Sequence, residues 1–171
     1  DSILHYTGLL AGRVRFDPKP CIFNDICAEA IRTVRASALQ KRLSIAFKID
    51  PIEIEIRSDR GAIVEILHQL LDNAVKFTPE GGRIGLDVSA RDDIDQVCVL
   101  VWDTGIGIAP EQRDRVFQPF AQLDRGLNRR YEGIGLGLAY VVRLADHLRG
   151  SVSVDSRPGE GSRFTVLLPL R

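Results

Sequence analysis

The sequence predicts an α/β fold, a two-layer sandwich of three helices on a mixed, mostly antiparallel sheet. Three observations carry this expectation. Residues 43–49 (LSIAFKI) and 52–57 (IEIEIR) alternate apolar and polar side chains, the period of strands with one buried face. From about Asp59 to Phe77, the residues Ile63, Ile66, Leu67, Leu70, Ala74 and Phe77 share one face of a helix. Residues 97–102 (VCVLVW) are nearly all apolar, which places them centrally in a sheet.

The other elements follow in chain order. Residues 2–12 hold Ile3, Tyr6, Leu9 and Leu10 at helical spacing, in a stretch too short to be a helix on its own. It reads as the end of a longer helix whose partner is missing. Gly12 is a suitable terminator, and Asp17-Pro18-Lys19-Pro20 reads as a break. Asn24 is a suitable cap for a helix from Asp25 to about Gln40, with Ile26, Ala30, Val34 and Ala38 as its stripe. The Asp50-Pro51 break separates the two alternating strands. Gly81-Gly82 turns the chain into a strand at about 83–89. Residues 121–132 have no period and read as a mobile loop. A helix is expected at about 136–148, then a strand, a turn at Arg157-Pro158-Gly159, and a strand at 162–168.

Composition removes several functional classes. Lys plus Arg and Asp plus Glu number 23 each, so the net charge of the 171 residues is zero, and nothing suggests a nucleic-acid or membrane surface. No apolar run approaches the ~18 residues of a membrane span. No signal peptide is visible. The cysteines, Cys21, Cys27 and Cys98, are odd in number and fit no zinc spacing. Cys27 and Cys98 lie in apolar runs and read as core residues. Reduced thiols fit a cytoplasmic location.

Four clusters carry candidate chemistry. On the second helix, Glu65, Gln69, Asp72, Asn73 and Lys76 share the face opposite the apolar one. A solvated face explains them; so does a ligand site, since Gln69 and Asn73 offer amide oxygens to a hydrated Mg²⁺ and Lys76 a cation to phosphate. Next, Asp103-Thr104-Gly105-Ile106-Gly107 follows the apolar strand. A carboxylate there is costly unless something binds it, and an adenine amino group is a fitting donor. A plain tight turn is the alternative. A dinucleotide fingerprint fits poorly, because its third glycine would fall on Pro110. Third, Gly133-Ile134-Gly135-Leu136-Gly137-Leu138 opens a helix, where bare amides bind phosphate and where a hinge is equally at home. Last, Gly159-Glu160-Gly161-Ser162 alone is an ordinary hairpin turn.

The order of these clusters is more specific than any one of them. HQLLDNAVKFT (68–78) resembles the N box of sensor histidine kinases, DTGIGI (103–108) their G1 box and FQPF (117–120) their F box. GIGLGL (133–138) is similar to the G2 box, and GEGS (159–162) to the last glycine box. The wider group includes gyrase, the Hsp90 chaperones and the mismatch-repair ATPases, and implies a Bergerat-type ATP-binding fold. The resemblance implies a domain over 16–171, preceded over 1–15 by the end of a dimerisation helix and its linker.

It also implies roles. Asn73 would hold Mg²⁺, with Gln69 a second candidate, and Lys76 would approach the phosphates of ATP. Phe77 and Ile108 would flank the adenine, Asp103 would accept its amino group, and Gly105 and Gly107 would shape the pocket. Gly133, Gly135 and Gly137 would form the phosphate loop, with Leu136 and Leu138 in the same nucleotide-binding set. Phe117 and Phe120 would anchor the lid, from which Arg129 or Arg130 would reach the γ-phosphate. The implied partners are the dimerisation and phosphoacceptor helices of a homodimeric parent kinase and the receiver domain of a response regulator.

Two departures stand out. Gln69 replaces the usual first Asn of the N box and is one methylene longer. Hydrolytic members of the wider group carry a glutamate there, and an amide has no comparable basicity, so steady ATP hydrolysis is not expected. The second departure is an absence: no histidine sits before an acidic residue in a phosphoacceptor setting, since His5 precedes Tyr6, and His68 and His147 lie within helices of the domain. The reading is an ATP:protein-histidine phosphotransferase domain. Its rivals are a degenerate nucleotide-sensing module, which Gln69 keeps open, an anti-sigma-type serine kinase, and an ATPase.

Overall fold

A computed structural model describes residues 7–8, 16–121 and 136–171. Strand β1 (Lys19–Ile22) leads directly into helix α1 (Phe23–Gln40), followed by β2 (Ser44–Asp50) and β3 (Glu55–Ser58). Helix α2 (Arg60–Phe77), β4 (Arg83–Arg91) and β5 (Gln96–Asp103) come next, with a 3-10 turn at Asp92–Ile94. A short helix α3 (Pro110–Arg113), then α4 (Gly137–His147), β6 (Ser151–Ser156) and β7 (Ser162–Pro169) complete the described chain.

The main sheet has the order β2-β4-β5-β7-β6, with β2 parallel to β4 and the other pairs antiparallel. The expected mixed, mostly antiparallel sheet is thus found, with β5 in its middle. Its inner face is formed by Ile84, Leu86 and Val88, by Val97, Val99 and Val101, and by Phe164, Val166 and Leu168, all buried. Helices α1, α2 and α4 cover that face, and α2 packs between the other two. A helix with neighbours on both sides needs a wide apolar surface, so Ala62, Leu71 and Val75 are buried beyond the stripe expected from periodicity. Burying each large aliphatic side chain contributes ~1.5–3 kcal/mol.

The structure corrects four expectations and adds one element. Residues 17–20 are not a simple break. Lys19–Ile22 pairs with Glu55–Ser58 in a separate two-stranded sheet, where Pro20 is tolerated because both strands are edges. That also shortens the strand expected over 52–57. Asn24 is not the cap of α1: the helix starts at Phe23, whose N–H donates to the Ile54 carbonyl at 2.8 Å, so a neighbouring chain segment replaces a capping side chain. Asn24 instead donates its Nδ2 to the Ile52 carbonyl. Cys27 is buried and its thiol is pushed up to about 12 by burial, but Cys98 is only half-buried. It lies with Leu100 and Trp102 on the outer face of β5, which no helix among the described residues covers. The helix α3, opened by Pro110, escaped the sequence reading because four residues are too few to show a period.

Thr7 and Gly8 are helical. The rest of the expected N-terminal helix, and the loop expected over 121–132 apart from Ala121, lie outside the described residues. Among the described residues no helix is long and apolar enough to cross a membrane.

Candidate functional site

Asp103 ends the central strand, level with Ile84 of β4 and Ser162 of β7. Its side chain is buried, and its Oδ1 accepts the Gly105 N–H at 2.8 Å. Burial pushes its carboxyl above the ordinary range, against the opposing pull of the Gly105 and Ser162 amides.

The loop that follows is held from two sides. On one side, Ile106 N–H donates to the Phe77 carbonyl at 3.1 Å, which ties the loop to the last turn of α2. A side chain at Gly105 would collide with that same carbonyl. On the other side is the β6–β7 turn. Gly159 N–H donates to the Ile106 carbonyl at 2.8 Å, and Ile108 N–H donates to Ser156 Oγ at 2.8 Å. Gly107 has a φ of +70° and leaves no room for a β-carbon against the Arg157 carbonyl. Gly161, with a φ of +80°, packs as closely on the Asp103 carbonyl. The hairpin glycines therefore brace the Asp103 loop, which their sequence did not reveal. Ser156 completes the brace by donating to the Gly161 carbonyl at 2.7 Å and meeting Ser162 Oγ at 2.9 Å. Ser162 belongs to the GEGS cluster, but Ser156 was not singled out by sequence; a serine at the end of the strand entering the glycine turn was the available signal.

The polar face of α2 continues away from Phe77. Glu65, Gln69, Asp72, Asn73 and Lys76 are all half-buried, so this is not a freely solvated face. Lys76 Nζ and Asp72 Oδ2 form an ion pair at 3.2 Å, one turn apart. Gln69 Nε2 donates to Glu65 Oε1 at 2.7 Å. Gln69 Oε1 points at the first turn of α4, only 2.8 Å from where a β-carbon on Gly137 would sit. Tyr140, one turn further along α4, is buried, and its phenol is raised first by burial and then by the charge of Glu65. Leu136 is buried and Leu138 is half-buried against the core.

Lys41 escaped the sequence reading. Its Nζ donates to the Val75 and Lys76 carbonyls at 2.6 and 3.0 Å, so a cation closes the C-terminus of α2. Burial lowers its pKa.

The structure thus gathers Gln69, Asn73, Lys76, Phe77, Asp103, Gly105, Gly107 and Ile108 along α2 and the loop bound to its end, with Leu136, Gly137 and Leu138 opening the adjacent helix. Arg129, Arg130, Gly133 and Gly135 lie outside the described residues, as does His5. Of the two anchoring phenylalanines, Phe117 packs edge-on against Phe164 at 6.2 Å, but Phe120 is 68% exposed and anchors nothing inward. Its φ of +62° turns the backbone there. His68 meets Thr33 Oγ1 at 2.8 Å, and His147 stacks on Phe16 at 4.1 Å.

The sequence profile described as "Histidine kinase-, DNA gyrase B-, and HSP90-like ATPase" matches residues 58–171, which contain every element of this site. The chain belongs to that family. It is 31% identical over 170 residues to the sensor histidine kinase RcsC of Escherichia coli K12, covering 99% of this chain and 18% of RcsC. Full-length ShkA, solved in complex with AMPPNP, superposes with a TM-score of 0.87 at 33% identity, covering 98% of this chain and 34% of ShkA. The nucleotide-free catalytic domain of the histidine kinase ThkA superposes with a TM-score of 0.78 over 92% of this chain and 97% of that domain; at 23% identity it speaks to the fold alone. The chain spans about a fifth of the length of the curated relatives it matches.

Proposed function

We propose that this chain is the Mg-ATP-binding catalytic domain of a two-component sensor histidine kinase. It transfers the γ-phosphate of ATP to a histidine on a dimerisation helix outside this chain. The observation that carries the reading is the buried carboxyl of Asp103, set at the end of the central strand inside a glycine-built loop. Its oxygens already accept from the Gly105 and Ser162 amides and keep capacity for a further donor, which the exocyclic amino group of adenine supplies. Phe77 and Ile108 flank the base.

One turn along α2 from Phe77, Asn73 offers an amide oxygen beside the Lys76 cation, a donor set suited to a hydrated Mg²⁺ that takes few protein ligands. When bound, that ion neutralises charge on the phosphates. Lys76 faces the same phosphates. The first turn of α4, at Gly137, supplies backbone N–H groups, since its cap Leu136 offers no side-chain acceptor. Gly133 and Gly135 extend that loop, and Arg129 or Arg130 reaches the γ-phosphate. Catalysis is positioning and charge neutralisation around an incoming imidazole.

Residues 1–15 belong to the dimerisation helix and linker, and 16–171 to the catalytic domain. The parent kinase is a homodimer that passes phosphate to a receiver domain in the cytoplasm. The similarity to sensor histidine kinases along nearly the whole chain disfavours the serine-kinase and non-catalytic alternatives.

A phosphotransfer assay tests this reading. The chain alone, given radiolabelled ATP, takes up no acid-labile phosphate. Restored to its native helix pair it does, and Asn73→Ala abolishes the labelling. Stoichiometric labelling of His68 or His147 in the isolated chain would contradict it.

A further inference from the structure

The last turn of α2 carries Lys76 and Phe77, and its carbonyls are held by three different parts of the chain. Thr78 Oγ1 donates to the Ala74 carbonyl at 2.6 Å. Lys41 Nζ donates to the Val75 and Lys76 carbonyls at 2.6 and 3.0 Å. The Phe77 carbonyl accepts the Ile106 N–H of the Asp103 loop at 3.1 Å. The final carbonyls of a helix have no partner within it, so outside donors fix where its last turn lies. Thr78 is local to the turn, and Ile106 belongs to the loop that the turn supports. Lys41 comes from elsewhere: it is the C-cap residue of α1, and its own carbonyl accepts the Gly81 N–H at 3.0 Å. One residue thus grips the chain on both sides of the bend at Thr78–Glu80. Its ammonium also sits at the negative end of the α2 dipole, where a cation is favoured.

We infer that Lys41 is a positioning residue for the adenine end of the site. It fixes the last turn of α2 and, through the Phe77 carbonyl, the loop that carries Asp103 and Ile108. It does so without touching the nucleotide, since its Nζ is engaged with the Val75 and Lys76 carbonyls. The inference rests on reading the site as a nucleotide site. Its consequence is specific: removing the ammonium loosens the part of the site that adenosine and ATP share, so both ligands lose affinity together.

The experiment is calorimetric titration of the intact chain with adenosine and with Mg-ATP, alongside thermal melts and native-state hydrogen exchange. Lys41→Met, which keeps the apolar stem and removes the donors, should weaken both ligands by the same factor, about tenfold. Lys41→Arg, whose guanidinium also donates to two acceptors, should bind both within about threefold of the parent. In Lys41→Met the Ile106 amide should lose more exchange protection than the amides of β5. Weakened ATP with unchanged adenosine would overturn the inference and make Lys41 a phosphate contact. Unchanged affinity for both in a folded Lys41→Met with a lowered melting temperature would also overturn it, leaving a tie that serves stability alone. If Lys41→Met does not fold, Lys41→Gln, which keeps one donor group, takes its place with the same outcomes. If the parent binds neither ligand, the nucleotide reading fails, and exchange at Ile106 alone decides whether Lys41 holds the turn.

Discussion

Around Asp103 the contacts are made mostly by backbone, closed by the Ser156 hydroxyl. The Phe77, Arg157 and Asp103 carbonyls each press against a glycine, and the Ile106, Ile108 and Gly159 amides each have a partner. Along the polar face of α2 the contacts are made by side chains: Glu65 to Gln69, and Asp72 to Lys76. The difference teaches that the two ends of the site have different tolerances. A backbone-built end is fixed by the fold and admits almost no substitution. A side-chain end, half-exposed and held by single hydrogen bonds and ion pairs, can rearrange when a charged ligand arrives.

Among substitutions, the largest effect is expected at Gly161. An alanine there would meet the Asp103 carbonyl and hold an L-residue at a φ of +80°. The expected destabilisation is about 3 kcal/mol or more, measured by denaturant unfolding. A loss below ~0.5 kcal/mol would mean that the brace is loose. Ser156→Ala comes next. It strands the Ile108 amide and the Gly161 carbonyl in a buried setting, at about 1–3 kcal/mol. Unfolding that matches the parent protein would show that water replaces the hydroxyl.

The buried Asp103 carboxyl makes stability depend on pH. Its folded-state pKa is raised by burial, so its contribution to stability is fully present below the ordinary carboxylate value and is lost as pH rises through the raised one. Denaturation across that acidic window should therefore show Asp103→Asn gaining stability relative to the parent as pH rises. Equal slopes for both proteins would mean the carboxyl is not strained by burial. At the other end, Asp72→Ala should cost only ~0.2–0.5 kcal/mol, the worth of an exposed i,i+4 pair, while freeing Lys76. A cost above ~1.5 kcal/mol would mean the polar face of α2 is as fixed as the Asp103 loop.

How legible each part was in the sequence follows from the same contrast. Helix α2 and strand β2 were readable because burial on one face leaves a period in the sequence, and β5 because its run is nearly all apolar. The polar face of α2 was readable for the same reason, as the complement of the apolar stripe. The start of α1 was misread because its first N–H is satisfied by Ile54, about thirty residues away in sequence, and not by Asn24 beside it. Lys41 and Ser156 were missed because each serves backbone groups brought near only by folding: Val75 and Lys76 for the one, Ile108 and Gly161 for the other. The GEGS turn looked ordinary because collision with a distant carbonyl has no local signature. Gln69 was visible as a departure, and its hydrogen-bond partner, Glu65, lies one turn away on the same polar face.

The central claim is that Asp103 reads the base of a bound ATP. Calorimetric titration of the chain with ATP and Mg²⁺ tests it most directly. The expected result is one site for the parent protein and an affinity at least ~10-fold weaker for Asp103→Ala, the loss of a charge-assisted hydrogen bond of about 1.5–3 kcal/mol. Equal affinity in a folded Asp103→Ala protein, or no binding heat in the parent, would contradict it.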